Sequence, residues 1–311
     1  MCPKIVCLGG GTGLPNLLRG LKLYTDSLTA IVTVADDGGS SGRIRDELKI
    51  PPPGDIRNCL LALAYTEPLM EQLFQHRFSG GTLKGHSFGN LFLAAMTEML
   101  GNFELAIKES SKVLAVKGRV LPSTLENVIL EAVYEDGETV SGESHIPNSR
   151  KRISKVMMKP PDAKPLDEAI EAIQQADAII LGPGSLYTSL IPNLLVNDIT
   201  AAIAKSKAKK IYVVNVMTQP GETDGYKASD HVRAVVRHSS SAVMDYVIIN
   251  SGQIPEHLVS RYLSDGATPV ECDREVIEAM GYKTVTAPVI NPTDVVRHSP
   301  ELLAKVIMDL I

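Results

Sequence analysis

Lys4-Ile5-Val6-Cys7-Leu8, running straight into Gly9-Gly10-Gly11-Thr12-Gly13, decides the fold. The apolar run is short and β-branched, as a buried strand requires, and the glycines end it. Helical spacing then takes over at Pro15-Asn16-Leu17-Leu18-Arg19-Gly20-Leu21. Strand, tight turn and helix in that order open a βαβ unit. A second buried strand at Leu28 to Ala35 stops at Asp36-Asp37-Gly38-Gly39-Ser40-Ser41-Gly42, where glycines and small polar residues break the run.

The same rhythm extends along most of the chain. Asp55 to Tyr65 and Asn90 to Leu100 read as apolar-faced helices, with Asp55 placed to cap its own helix. After a helix at Leu166 to Gln175 come a strand at Ala178 to Leu181 and the turn Gly182-Pro183-Gly184-Ser185. A helix near Val196 to Lys205 and strands at Lys210 to Val216, Tyr246 to Asn250 and Thr284 to Pro288 follow. Ser299, with Pro300 at the first helical position, starts a last helix. Residues 119–160 differ in texture: hairpin signals around Asp136-Gly137 mark a β-rich insertion. The expected architecture is a single Rossmann-like α/β domain, a three-layer sandwich around a mostly parallel sheet. In such sheets ligands bind outside the carboxyl ends of the strands, where the glycine-rich turns gather.

Composition narrows the function. The 311 residues are 44% hydrophobic with no Trp, enough for a large aliphatic core. A net charge of −5 with dispersed cations gives no basic stripe for nucleic acid. No apolar run reaches the length of a membrane span and no secretory signal opens the chain, so a cytoplasmic protein is expected. Cys2, Cys7, Cys59 and Cys272 form no Cys-x-x-Cys pair and read as free thiols. A homodimer suits a regulator of this size, though no interface is legible.

Four segments carry chemistry. Gly10, Gly11, Thr12 and Gly13 let backbone amides and a helix N-terminus approach an anion. The dinucleotide fingerprint is incomplete, and no Gly-Lys-Ser/Thr makes a P-loop. Asp36 and Asp37, followed by Gly38 and Ser40, end the second strand about twenty residues on, where an acid meets ribose hydroxyls in related sites. Neighbours on a strand point to opposite faces, so one of the two carboxylates should enter the pocket. Gly182, Gly184, Ser185 and Thr188 repeat the amide-lined turn after a later strand. Lys84, His86, Ser87 and Asn90 gather a cation, an imidazole, a hydroxyl and an amide around glycines. Asn215 and Met217 follow a strand end and suit the reading of a base or sugar, while Glu222 and Asp224 read equally well as solvated loop charges. The remaining histidines have no metal-ligand spacing, and surface or capping roles suffice for them.

Six stretches, GGGTGL (9–14), ADDGGSSG (35–42), PGDIRN (53–58), GHSFGNLFL (85–93), LGPGSLYT (181–188) and NVMTQPGETDGY (215–226), resemble the YvcK-like family of gluconeogenesis factors. The resemblance covers nearly the whole chain. That family shares a superfamily with the CofD-like 2-phospho-L-lactate transferases of coenzyme F420 synthesis. It implies a Rossmann-like fold and binding of UDP-sugars such as UDP-N-acetylglucosamine. It also implies a regulatory role joining carbon metabolism to cell shape and wall synthesis, with no reaction firmly attached. Tyr262 and Arg297 fall where the family places UDP-sugar contacts; an aromatic ring can stack on a base and a guanidinium can clamp a diphosphate. The transferase branch has bulkier residues where this chain has Gly38-Gly39, so its deazaflavin and metal are not carried over. Three readings follow: a non-catalytic UDP-sugar sensor that needs no cofactor, a magnesium-assisted phosphotransferase using Asp36 or Asp37 with His86, and an NAD binder.

Overall fold

The computed structural model describes residues 2–290 and 295–311. Its centre is a seven-stranded sheet built from β1 (Ile5–Gly9), β2 (Leu28–Val32), β3 (Arg119–Pro122), β7 (Ala178–Leu181), β8 (Lys209–Val213), β9 (Tyr246–Asn250) and β10 (Lys283–Ala287). A separate antiparallel sheet holds β4 (Ile129–Tyr134), β5 (Thr139–Ser141) and β6 (Ile153–Lys159). Every pairing in the large sheet is parallel, in the order β10-β9-β8-β7-β1-β2-β3. The chain therefore builds outward from β1 in one direction through β3, then returns to its other side with β7.

Alternation along β1 assigns the two faces. Ile5 and Cys7 join the core of α1 (Gly13–Leu21), α3 (Gly54–Leu63), α5 (Phe88–Leu100), α6 (Phe103–Val113) and α13 (Pro300–Met308). Val6 and Leu8 face the other core, which holds α7 (Asp167–Gln175), α8 (Ile191–Leu195), α9 (Ile199–Lys205), α10 (Ala228–Arg237) and α12 (Arg274–Ala279). Three shorter or partly exposed helices complete the set: α2 (Gly39–Leu48), α4 (Pro68–Gln75) and α11 (Glu256–Ser264). The helix after β1 thus covers one face, and the chain after β7 turns to the other. Between these two adjacent strands lies the topological switch point, where a crevice opens at the carboxyl edge.

The antiparallel sheet packs Leu130, Ala132, Tyr134, Ile153, Val156 and Met158 into the second core. It begins at Ile129, because Arg119–Pro122, expected to open the β-rich stretch, pairs in parallel with β2 as the edge of the main sheet. Two local expectations change. The Asp36 to Gly42 stretch ends in a helix, since α2 starts at Gly39. Asp55 does not cap α3, whose N-cap is Pro53. No helix among the described residues is long and apolar enough to cross a membrane.

Candidate functional site

The turns after β1 and β7 touch. A Cβ on Gly13 would lie 2.2 Å from the Pro183 carbonyl oxygen, and one on Gly184 would lie 3.3 Å from that of Gly10. Gly11 has φ +59° and Gly184 φ +148°, conformations open to glycine at little cost. Gly182 is tied back by its amide to Leu8 O at 2.9 Å, so it anchors the turn to the sheet. Asn215, at the end of β8, grips Gly184 twice: its Oδ1 accepts from the Gly184 amide (3.2 Å) and its Nδ2 donates to the Gly184 carbonyl (2.7 Å). Asn215 therefore shapes the second turn, with its amide group spent on backbone.

Around this contact opens a cleft of about 370 Å³. The start of α1 (Thr12, Gly13), the β7 turn (Gly184, Ser185) and the β8 loop (Met217) line one side, while Tyr262 of α11 and exposed Arg297 stand opposite. The Tyr262 hydroxyl accepts from the Val296 amide at 3.1 Å, which fixes the ring beside Arg297. Ser185 accepts from Gln219 Nε2 at 2.6 Å. His298, expected from sequence to be a surface or capping residue, is buried and also lines this cleft; burial pushes its imidazole down to about 4, so it is neutral.

A second chamber of about 220 Å³ is walled by the first turns of α2 and α3 with Asp36, Asp55, Arg57, Arg77 and Asn90. Asp55 ties the chamber wall to the turn after β1. Its Oδ2 accepts from the Gly11 amide at 2.7 Å, and burial pushes its carboxyl up to about 6 against that hydrogen bond. Asp36 faces the chamber, and its Oδ1 accepts from the Gly38 amide at 2.9 Å. Asp37 turns the other way and accepts from the Ser144 amide at 2.9 Å, pinning the antiparallel unit to the main sheet. The second strand, expected to run to Ala35, stops at Val32, so both carboxylates sit in the loop after it and their own backbone contacts, rather than strand alternation, divide them.

Ser40, His86, Ser87 and Asn90 form one buried network at the chamber wall. His86 Nδ1 and Ser40 Oγ are 3.1 Å apart, Asn90 Nδ2 donates to Ser40 Oγ (3.2 Å), and Arg57 Nη1 donates to Asn90 Oδ1 (2.9 Å) and to Ser87 Oγ. Ser87 is the N-cap of α5, accepting from the Asn90 amide. Burial, then the Arg43 charge, lowers the His86 pKa, so the ring is a neutral hydrogen-bonder. Lys84 stands apart: it is exposed, and its carbonyl accepts from Arg43. Thr188 is buried with its hydroxyl on Glu222 Oε1 at 3.0 Å, so it braces the helix behind the turn. Glu222 is no solvated loop charge. It is 4% exposed, takes the Tyr187 amide as well, and burial pushes it up to about 7. Glu143, from the loop after β5, is pushed up to about 8 by burial and then by the charges of Asp36 and Glu222.

Sequence reasoning missed Asp55, Arg57, Arg77, Glu143, Ser189 and His298. Ser189 packs its hydroxyl under Gly11, where a Cβ would meet it at 3.0 Å. The signal for Arg57 was on the page, since it shares a motif with Asp55 in PGDIRN. Among the described residues no group of three or more His, Cys, Asp or Glu side chains is placed to hold a metal ion.

The family model for the 2-phospho-L-lactate transferase CofD matches residues 5–290. The gluconeogenesis factor of Bacillus subtilis is 53% identical over 311 residues, covering 99% of this chain and 98% of that protein. The gluconeogenesis factor of Halalkalibacterium halodurans is 52% identical, with 98% and 96% covered. A crystal structure of a Bacillus halodurans protein superposes with a TM-score of 0.97 at 51% identity, covering 99% of this chain and all of that one. Long matching motifs, an all-parallel sheet in this order and near-complete coverage agree: the chain belongs to the YvcK-like gluconeogenesis factors, within the CofD family.

Proposed function

We propose that the chain is a receptor for a nucleoside diphosphate sugar, a UDP-sugar such as UDP-N-acetylglucosamine, which it binds without transforming. The observation that carries this reading is the contact of the β1 and β7 turns at the switch point, Gly13 on Pro183 and Gly184 on Gly10. The N-terminus of α1, with no acidic residue in its first turn, opens there and favours a diphosphate. A cleft of about 370 Å³ is of nucleotide-binding size. Its fixed Tyr262 ring suits a base, and Arg297 suits the phosphates. The relatives' name supports a role in carbon metabolism, and the family resemblance supports a cytoplasmic regulator tied to wall synthesis.

The CofD match makes phosphotransfer the second reading, with Asp36 near the reacting phosphate. NAD is the third candidate ligand, with Asp36 on a ribose. Mass spectrometry of nucleotide carried through native purification separates them. Intact UDP-sugar is expected, recovered unchanged after incubation with acceptors. Steady loss of the diphosphate donor would replace the receptor with a transferase, and recovered NAD would replace the ligand. Titration calorimetry giving no heat with UDP-N-acetylglucosamine, on folded protein, would refute the reading.

A further inference from the structure

The second chamber holds opposite charges that do not pair. Arg57 and Arg77 share it with Asp36 and Asp55, yet among the described residues no ion pair within 4.0 Å joins them. The carboxylates are partly spent on backbone donors, Asp36 on the Gly38 amide and Asp55 on the Gly11 amide. The cationic side keeps unspent capacity. Arg57 uses Nη1 on Ser87 and Asn90 and Nη2 on Asn58, while its buried Nε has no acceptor among the described residues. Arg77 commits Nη1 to the Gly85 carbonyl.

Two helix N-termini open onto the chamber, that of α3 with Asp55 in its first turn. α2 and α3 are each ten residues long, and both begin in the chamber wall. α2 has no acidic residue in its first turn, and its N-cap, Gly38, offers no side chain; the Asp36 carboxylate on the Gly38 amide offsets part of the positive end of its dipole. Ser41, in that turn, is 5% exposed and lines the chamber, and its hydroxyl has no hydrogen-bond partner among the described residues. Gly54 keeps the space open: a Cβ there would lie 2.3 Å from Ser41 Oγ and 3.3 Å from Asp36 Oδ2. That hydroxyl opens onto the chamber and is free to bond a ligand there.

We propose that this chamber is a second anion subsite, taking the phosphate or carboxylate of a hydroxylated small molecule. The anion lies against Arg57, Arg77, the Ser41 hydroxyl and the α2 amides; the ligand's hydroxyls donate to Asp36 and Asp55. A guanidinium pair beside a helix N-terminus recognises an oxyanion by charge and by hydrogen-bond direction together. The proposal does not require the nucleotide reading. The acid group belongs either to a sugar acid carried on the nucleotide or to a free sugar phosphate or inorganic phosphate.

Calorimetry on the full chain tests this with inorganic phosphate, glucose 6-phosphate, glucose, UDP-glucose and UDP-glucuronate as probes. Arg77→Gln and Ser41→Ala are the variants, Arg77 being exposed and so safe for folding, which circular dichroism checks. If the acid is free, glucose 6-phosphate binds, glucose does not, and Arg77→Gln weakens binding about tenfold. If it rides on the nucleotide, UDP-glucuronate binds about tenfold tighter than UDP-glucose, and Arg77→Gln erases the difference. Ser41→Ala should weaken whichever probe binds, by a smaller factor. UDP affinity unchanged in Arg77→Gln separates this subsite from the nucleotide cleft. No preference for any acidic probe, or equal affinity in wild type and Arg77→Gln, overturns the proposal, whatever UDP does.

Discussion

Gly13 is held to glycine by its neighbour rather than by its own backbone. A Cβ would meet the Pro183 carbonyl at 2.2 Å, so Gly13→Ala must push the two turns apart. The expected cost is about 1–3 kcal/mol in urea unfolding, together with loss of nucleotide binding. Retained affinity in a folded variant would show that the turns need not touch. Glu222 gives a second test at this scale. Its carboxyl lies at about 7 in the fold against an ordinary value of 4.5, because burial outweighs the bonds from Thr188 and Tyr187. Between those values the folded chain holds more protons than the unfolded one, so this residue's contribution to stability falls as pH rises, by about 3 kcal/mol in all. Glu222→Gln should be the less stable protein at pH 5, losing an acceptor, and gain on wild type towards pH 8. Parallel urea midpoints from pH 5 to 8 would contradict that. Asp55 shows why such residues escape a sequence reader. After Pro-Gly an aspartate is most simply a cap, and only the packing of α3 against the β1 turn brings its carboxylate to the Gly11 amide.

Elements were legible in proportion to how local their causes are. β1, β7 and β9 are continuous apolar runs bounded by turn residues, and they form where the pattern puts them. α13 follows its start signal: Ser299 accepts from the Leu302 amide and Pro300 takes the first turn. Ser299→Ala should cost about 1 kcal/mol, read as a shifted unfolding midpoint with no change in nucleotide affinity. α2 was hidden because its first turn, Gly39-Ser40-Ser41-Gly42, has poor intrinsic helix propensity. That turn is buried against α3 and the loop after β2, so tertiary contact supplies what propensity lacks. The helix behind the β7 turn starts as a π-helical stretch, Leu186–Leu190, tied down by Glu222 from a distant loop. Nothing within Leu186–Leu190 announces that tie. For the same reason Thr188, which resembles a ligand contact in sequence, serves as a brace for the turn, while Asn215 both braces it and lines the cleft.

At the scale of the whole molecule, the sheet order places the site. Because β1 and β7 are neighbours whose following segments cover opposite faces, the two glycine turns have to meet at the crevice between them. Periodicity anticipates a parallel sheet and a shared edge. It does not anticipate the separate chamber, whose wall is assembled from the first turns of α2 and α3 and from Arg77 and Asn90. Selective ¹⁵N-glycine labelling with amide spectra recorded during a UDP titration tests the central claim most directly. The Gly11, Gly13 and Gly184 amides, assigned through single alanine variants, should shift together along one binding curve while remote Gly137 and Gly281 stay fixed. Saturable binding of UDP that leaves those three amides unmoved would contradict the account.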